Sequence, residues 1–319
     1  MFDIERYLNV RSAHGASVGP DGDRLAFLMD TTGVPQVWTL DAPGTWPEQR
    51  TFFDDRVTFA SWSPERPELI VGRDRGGDEK ETFYRLGVTD GSITDLTEHP
   101  DAKHWFGGWR PDGEQFAFAS NRRDESVFDV YVQDRTATGA DAERVYEGDG
   151  WFSVAGWNPD GDRLLLTESH SSFDQDVYVL DVATGSRRHL TPHEGTVRHL
   201  SANWGPDGEG VYLVTDGETD TLRLSYIDLA TDEISTVEAA DSGETPLADD
   251  AWNVDGVAVD QESRRLVYSR NVDGYTELGV GELVAPGRLD HFPTPDLPPC
   301  VAGGVDFGPD GDRFALTVT

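Results

Sequence analysis

The chain has 319 residues, of which 37% are apolar, 10% aromatic and 27% charged, enough material for a large core and too hydrophobic for a disordered polymer. Its 60 acidic residues against 26 basic ones leave a formal charge of −34, which repels phosphate backbones and anionic lipid and argues against nucleic-acid or membrane-surface partners. No apolar run approaches the roughly 18–20 residues of a membrane helix, the opening Met1-Phe2-Asp3-Ile4-Glu5-Arg6 lacks the features of a secretory signal, and the single Cys300 excludes an internal disulfide.

In chain order, a strand within Leu8 to Ser17 leads into the turn Gly19-Pro20-Asp21-Gly22, followed by the apolar strand Arg24-Leu25-Ala26-Phe27-Leu28 and by Gln36-Val37-Trp38-Thr39-Leu40-Asp41. The same order returns with Val57–Trp62, the turn Ser63-Pro64-Glu65-Arg66 and the polar strand Ser92–Thr97. It continues through Trp109-Arg110-Pro111-Asp112-Gly113, Gln115–Phe118 and Asp129–Asp134. A fourth copy has Ser153–Trp157, Asn158-Pro159-Asp160-Gly161, Arg163–Leu166, Asp176–Asp181 and Arg187–Thr191. Trp204-Gly205-Pro206-Asp207-Gly208 with Gly210–Val214 opens a fifth, Val259-Asp260-Gln261-Glu262-Ser263 is a degraded sixth, and Phe307-Gly308-Pro309-Asp310-Gly311 opens a seventh.

The turn markers at 20, 64, 111, 159, 206, 260 and 309 are separated by 44, 47, 48, 47, 54 and 49 residues. Proline presets φ, aspartate suits the next position, and glycine takes the left-handed one, so each marker joins two antiparallel strands. Four short strands per period, the middle ones apolar at consecutive positions and the last polar, are the signature of a propeller blade covered on both faces by its neighbours. The sequence therefore predicts an all-β fold, a seven-bladed β-propeller of four-stranded antiparallel blades. A series of β-sandwiches would need longer, less regular periods and linkers. One domain over 1–319 is expected, with blades beginning near 12, 57, 104, 152, 199, 252 and 302 and the last blade incomplete after Phe314–Thr319.

The blade opening, aromatic-x-Pro-Asp-Gly, resembles that of TolB-like propellers. The whole chain is similar to the N-terminal propeller of prolyl oligopeptidase-family serine peptidases of the dipeptidyl aminopeptidase and acylaminoacyl-peptidase type. The matching stretches are Trp62-Ser63-Pro64, Gly76-Gly77-Asp78-Glu79 before Phe83-Tyr84-Arg85-Leu86, Ser120-Asn121-Arg122-Arg123-Asp124 before Asp129-Val130-Tyr131-Val132, and Asn271-Val272-Asp273-Gly274-Tyr275. The resemblance implies a non-catalytic, substrate-gating propeller that caps an α/β-hydrolase domain holding the catalytic serine, with peptides as substrates and no cofactor. That hydrolase domain is absent from the 319 residues, so no triad residue carries over. The alternative is a stand-alone TolB-like propeller serving as a protein-interaction module. An enzyme with its active site on the propeller has no motif in its favour.

Candidate chemistry is sparse. Gly15-Ala16-Ser17-Val18-Gly19 matches a nucleophile elbow, but it runs into a turn and another strand rather than a helix. His189, His193 and His199 would form a metal site only if they converged with a carboxylate such as Glu194 or Asp207; they are expected to scatter over an edge strand, a solvated loop and the next blade. The Asp-Gly-Asp strings at 21–23, 160–162 and 310–312 belong to the turns rather than to calcium loops. Candidate passage residues are the aromatics Trp105, Phe106, Trp151 and Phe152 near one mouth, with Arg110, Arg122 and Arg123 as basic groups able to meet a peptide carboxylate. Surface pairing with nearby Asp124 and Glu125 would account for these arginines equally well. Lysine is nearly absent, Lys80 and Lys103 being the only two, and with the acidic excess this predicts a cytoplasmic protein of a salt-accumulating halophile.

Overall fold

The computed structural model describes residues 11–217, 219–240, 247 and 251–319. Among them lie seven sheets in chain order, here blades 1 to 7, antiparallel but for one added pair in blade 6. Their first strands are Ala13–Val18, Val57–Trp62, His104–Trp109, Phe152–Trp157, His199–Trp204, Val254–Val259 and Ala302–Phe307. Blades 1 to 5 have four strands in sequential order. Blade 6 gains a fifth, Glu238–Ala239, which pairs in parallel with Arg288–His291 at its outer edge, and blade 7 has two, Ala302–Phe307 and Phe314–Val318. First strands of blades 1 and 2, 3 and 4, 4 and 5, 5 and 6, and 7 and 1 touch; blades 2 and 3 meet through the stacked rings of Phe59 and Phe106, and the second strand of blade 6 meets the first of blade 7, so the sheets form a closed ring.

The core consists of slabs between blades. Phe116 and Phe118 pack toward blade 2, whereas Ala117 between them packs toward blade 4. Leu164 and Leu166 face the slab shared with blade 3, and Leu165 the slab shared with blade 5. Alternate residues of one strand therefore serve two different slabs, which is why these strands are apolar at every position.

The repeated turns close in the same way. In blade 3 the Arg110 N–H reaches Gln115 O at 2.8 Å and the Gly113 N–H reaches Arg110 O at 2.8 Å; blades 1, 4, 5 and 7 repeat both bonds. Gly113 stands at φ 66°, a left-handed position that glycine occupies without strain. Blade 6 lacks that glycine, and Arg264 takes φ 62° instead, while Asp260 accepts the Ser263 N–H at 2.9 Å.

Two devices tie blade to blade. The tryptophan ending each of three first strands donates its indole N–H to a carbonyl of the preceding blade: Trp109 to Ser61 at 3.3 Å, Trp157 to Gly108 at 3.2 Å and Trp204 to Gly156 at 3.2 Å. At the ring closure a carboxylate replaces the indole. Asp306 Oδ2 accepts the Val18 N–H at 2.6 Å, and Ser17, also hydrogen-bonded to Asp306, accepts the Trp62 N–H at 3.2 Å, so blades 7, 1 and 2 are joined in one relay.

Candidate functional site

Strands reverse at each turn, so the Pro-Asp-Gly turns share one face of the ring, and the loops between blades and between second and third strands share the other. A cavity of about 390 Å³ lies on the axis toward the turn face, with Phe106, Trp109, Trp157 and Trp204 in its wall. Gln261, from the irregular turn of blade 6, reaches across to donate to Trp157 O at 3.1 Å.

The seven candidate residues do not form one constellation. Phe106 borders the axial cavity and stacks on Phe59 with centroids 5.1 Å apart. Trp105 stacks on Phe128 at 3.7 Å and 11°, and Trp151 leans on both rings at 5.9 and 5.5 Å while remaining 48% exposed. Phe152, by contrast, is sealed between Tyr146 and Tyr178 in the slab between blades 3 and 4. Arg110 is on the turn face, where its Nε donates to Gly161 O at 2.9 Å and ties two turns together.

Arg122 and Arg123 line a loop-face cavity of about 260 Å³ between residues 98–102 and 121–125. Arg122 lies 3.7 Å from the Tyr131 ring centroid and donates Nη1 to Gly139 O at 2.9 Å. Its Nε and Nη2 are shielded and without a hydrogen-bond partner, and burial lowers its pKa. These two N–H groups suit a carboxylate. Arg123 is committed differently from the sequence expectation. It grips Asp129 with two bonds of 2.8 Å, whereas Asp124 turns back onto Ser126 and Asp129 takes the Gly148 N–H as well. Burial works against the Asp129 charge, but Arg123 and the Gly148 N–H outweigh it and hold its pKa down.

Ser17 lies in the first strand of blade 1, bonded as described, and in no strand-to-helix elbow. The aspartates of the Asp-Gly-Asp strings serve the turns: Asp21 Oδ1 accepts the Asp23 and Arg24 N–H groups at 3.3 and 3.1 Å.

His189, His193 and His199 lie on the elements expected of them, the edge strand of blade 4, the loop between blades and the first strand of blade 5, and among the described residues no cluster of histidines and carboxylates is arranged to hold a metal ion; the side chains nevertheless come close to one another. Asp176, in the third strand of blade 4, Asp174–Asp181, accepts from His189 Nε2 at 2.7 Å and from His170 Nε2 at 3.0 Å. His193 faces Thr191 O through Nδ1 at 2.9 Å and Asp174 through Nε2 at 2.9 Å. Both partners are acceptors, an arrangement that favours a proton on each ring nitrogen; burial opposes the charge, but the bonds to Thr191 O and Asp174 prevail and raise its pKa. His199 sits edge-on to His193 at 5.5 Å. The carboxylates involved are Asp174 and Asp176, and Asp207 is in a turn on the opposite face. Sequence spacing missed these partners because they come from the preceding strand. The signal was the repeat itself, since Asp176 holds the register position that Asp129 holds one blade earlier.

No family model matches the chain. It is 29% identical over 255 residues to dipeptidyl aminopeptidase BIII of Pseudoxanthomonas mexicana, a match that takes in 76% of this chain and 36% of that protein. Among solved structures, a prolyl endopeptidase studied for inter-domain dynamics in catalysis and specificity superposes with a TM-score of 0.73 at 14% identity, over 97% of this chain and 46% of its own. TolB of Acinetobacter baumannii matches 70% of this chain and 53% of its own at 21% identity and TM-score 0.51. A TolB-type protein of Agrobacterium tumefaciens matches 71% and 80% at 20% identity and TM-score 0.52. The chain is thus homologous to a dipeptidyl aminopeptidase over most of its length and shares the β-propeller fold of these structures, as the repeats implied. It spans about a third of that relative's length and about half of the prolyl endopeptidase's.

Proposed function

We propose that this propeller gates a prolyl oligopeptidase-type serine peptidase, seated over an α/β-hydrolase domain that carries the nucleophile. The observation that carries the reading is the 255-residue similarity to a dipeptidyl aminopeptidase on a ring whose axis holds an aromatic-walled cavity. The mechanism is exclusion. An aromatic-walled passage bridged by Gln261 admits an extended peptide and rejects folded chains, and the acidic surface disfavours strongly acidic peptides at the mouth.

The test starts with the reading frame beyond codon 319, which is expected to encode a hydrolase with a nucleophile elbow. Its full product should react with a fluorophosphonate probe, and the 319-residue propeller should not. In that full product Gln261→Ala removes the bridge across the passage. It should raise kcat/KM several-fold for peptides of six or so residues, by about 1 kcal/mol or less of relieved exclusion, and leave an aminoacyl-nitroanilide unchanged. Serine labelling of the propeller itself would overturn the assignment. A frame without a hydrolase would favour a stand-alone interaction module.

A further inference from the structure

We propose that Asp255 makes the passage along the ring axis cation-selective, so that peptide segments bearing ammonium or guanidinium groups enter ahead of acidic ones. That peptides are the occupants rests on the gating function proposed above; the selectivity of the passage rests on the ring itself.

The seven first strands have six residues each. In a chain of which 27% is charged, they carry no lysine, arginine or glutamate, and two aspartates, Asp255 and Asp306. Asp306 is engaged at the ring closure, where it accepts the Val18 N–H at 2.6 Å. Of the histidines on these strands, His104 and His199 are buried, and burial lowers both pKa values to about 4, so the rings are neutral; His14 belongs to blade 1. Asp255 is thus the exposed carboxylate of an otherwise nearly uncharged set of strands.

Its position puts that charge in the passage. Val254 packs in the slab shared with blade 5, and the register shifts between Val254 and Gly256, so Asp255 is the extra residue of a bulge, a device that re-aims a side chain. Beside it, Gly256 joins Ser201 of blade 5 with Gly303 and Gly304 of blade 7 around a cavity of about 250 Å³. Blades 5 and 7 are not neighbours, so a space bordered by the first strands of blades 5, 6 and 7 lies on the axial side of blade 6. A Cβ at Gly256 would stand 3.6 Å from Ser201 Oγ, which brings Ser201 close to the same charge.

Nothing among the described residues answers the Asp255 charge. Arg270, opposite Val254 in the register, is held by Glu277 at 3.0 Å. Burial alone acts on Asp255, raising its pKa with no cation or hydrogen bond to oppose it. A carboxylate between low-dielectric walls concentrates its field along the opening, which draws cations in and turns anions away. The small residues around it, Ser201, Gly303 and Gly304, leave that field unobstructed.

Thiol chemistry on the 319-residue chain tests the selectivity without a hydrolase. Ser201→Cys places a thiol beside the charge, and the unsubstituted chain, whose Cys300 is buried, is the blank. Reaction rates are compared for a trimethylammonium-bearing and a sulfonate-bearing methanethiosulfonate at about pH 8, where carboxyl groups are ionised. Adding Asp255→Asn should lower the cation-over-anion rate ratio about five-fold, the combined effect on the two reagents of a unit charge about 8 Å away in water. The ratio cancels any influence of Asp255 on the pKa of the thiol. At Ala183→Cys, an exposed turn position of blade 4, the same change should leave the ratio unaltered. Gly303→Cys, where a side chain meets open space, takes the place of Ser201→Cys if that variant does not fold. In the full product, Asp255→Asn should lower by a similar factor the kcat/KM ratio of a lysine-containing over a glutamate-containing peptide, and leave a neutral blocked peptide unchanged. An unaltered thiol ratio on Asp255→Asn, or a full product that hydrolyses both peptides with an unaltered ratio, would each overturn the proposal. A frame that encodes no hydrolase defeats the gating function alone, and the thiol ratio then decides whether the passage selects cations.

Discussion

At the ring closure, the Asp306 carboxylate receives a backbone N–H and a serine hydroxyl, yet burial outweighs both and pushes its pKa up to about 6. The folded protein therefore binds this proton more tightly than the unfolded chain, whose aspartates titrate near 3.8. Where the folded state holds more protons, stability falls as pH rises. The contribution is fully present below about pH 4 and is lost by about pH 6, amounting to about 3 kcal/mol from the 1.36 kcal/mol per unit of linkage. Asp306→Asn keeps an acceptor for the Val18 N–H and removes the titration. It should melt several degrees above wild type at pH 7.5 and converge with it near pH 4, as followed by thermal melts across that range. A variant less stable than wild type at pH 7.5 would show that the charge itself is needed.

Between blades, the recurring interaction is the tryptophan that ends a first strand. Trp157 donates its indole N–H to the preceding blade, whereas Trp62, equally buried at the corresponding position, has no partner for its indole nitrogen because Ser17 and Asp306 occupy the closure in another way. Trp→Phe at either site removes similar ring volume, at about 2–3 kcal/mol. Only at 157 does it also remove a hydrogen bond, so Trp157→Phe should exceed Trp62→Phe by about 1 kcal/mol in urea unfolding; equal losses would mean that the bond contributes nothing. This scale also marks how far the sequence could be read. The turns were legible because Pro-Asp-Gly fixes its geometry locally, and the two-sided strands were legible because consecutive apolar residues at 116–119 or 164–166 fit no one-sided sheet. Side-chain partners across strands were not. Arg123 bypasses its sequence neighbours for Asp129, and His189 and His193 meet aspartates 13 and 19 residues upstream, a proximity created only when the third strand lies beside the fourth and the loop that follows it. Asp306 was silent for the same reason: nothing near it in sequence announces that its position faces Ser17, 289 residues away.

For the molecule as a whole, the dominant electrostatic fact is that 60 acidic residues face 26 basic ones. Many arginines are already placed between blades, as Arg135 is with Glu68 and Glu114, and Arg198 with Asp216 within blade 5. The acidic excess is left without counter-charges of its own. Two like charges 10 Å apart in water repel by about 0.4 kcal/mol; the Debye length shortens from about 10 Å at 0.1 M salt to about 3 Å at 1 M, which removes nearly all of that term. Screening also weakens the exposed ion pairs, but each is worth at most about 1 kcal/mol and they are outnumbered by the repulsive pairs of a net −34 chain. The sign follows: the melting temperature should climb steeply as KCl rises from about 0.05 M and level off near 1 M, once the Debye length falls below the spacing of surface charges. Salt that acted only by exclusion from the protein surface would instead give a continuing, near-linear rise with no early steep phase. Melts followed by tryptophan emission in KCl distinguish the two, and a melting temperature that stays flat or falls over that range would remove the case for a protein adapted to a salt-laden cytoplasm.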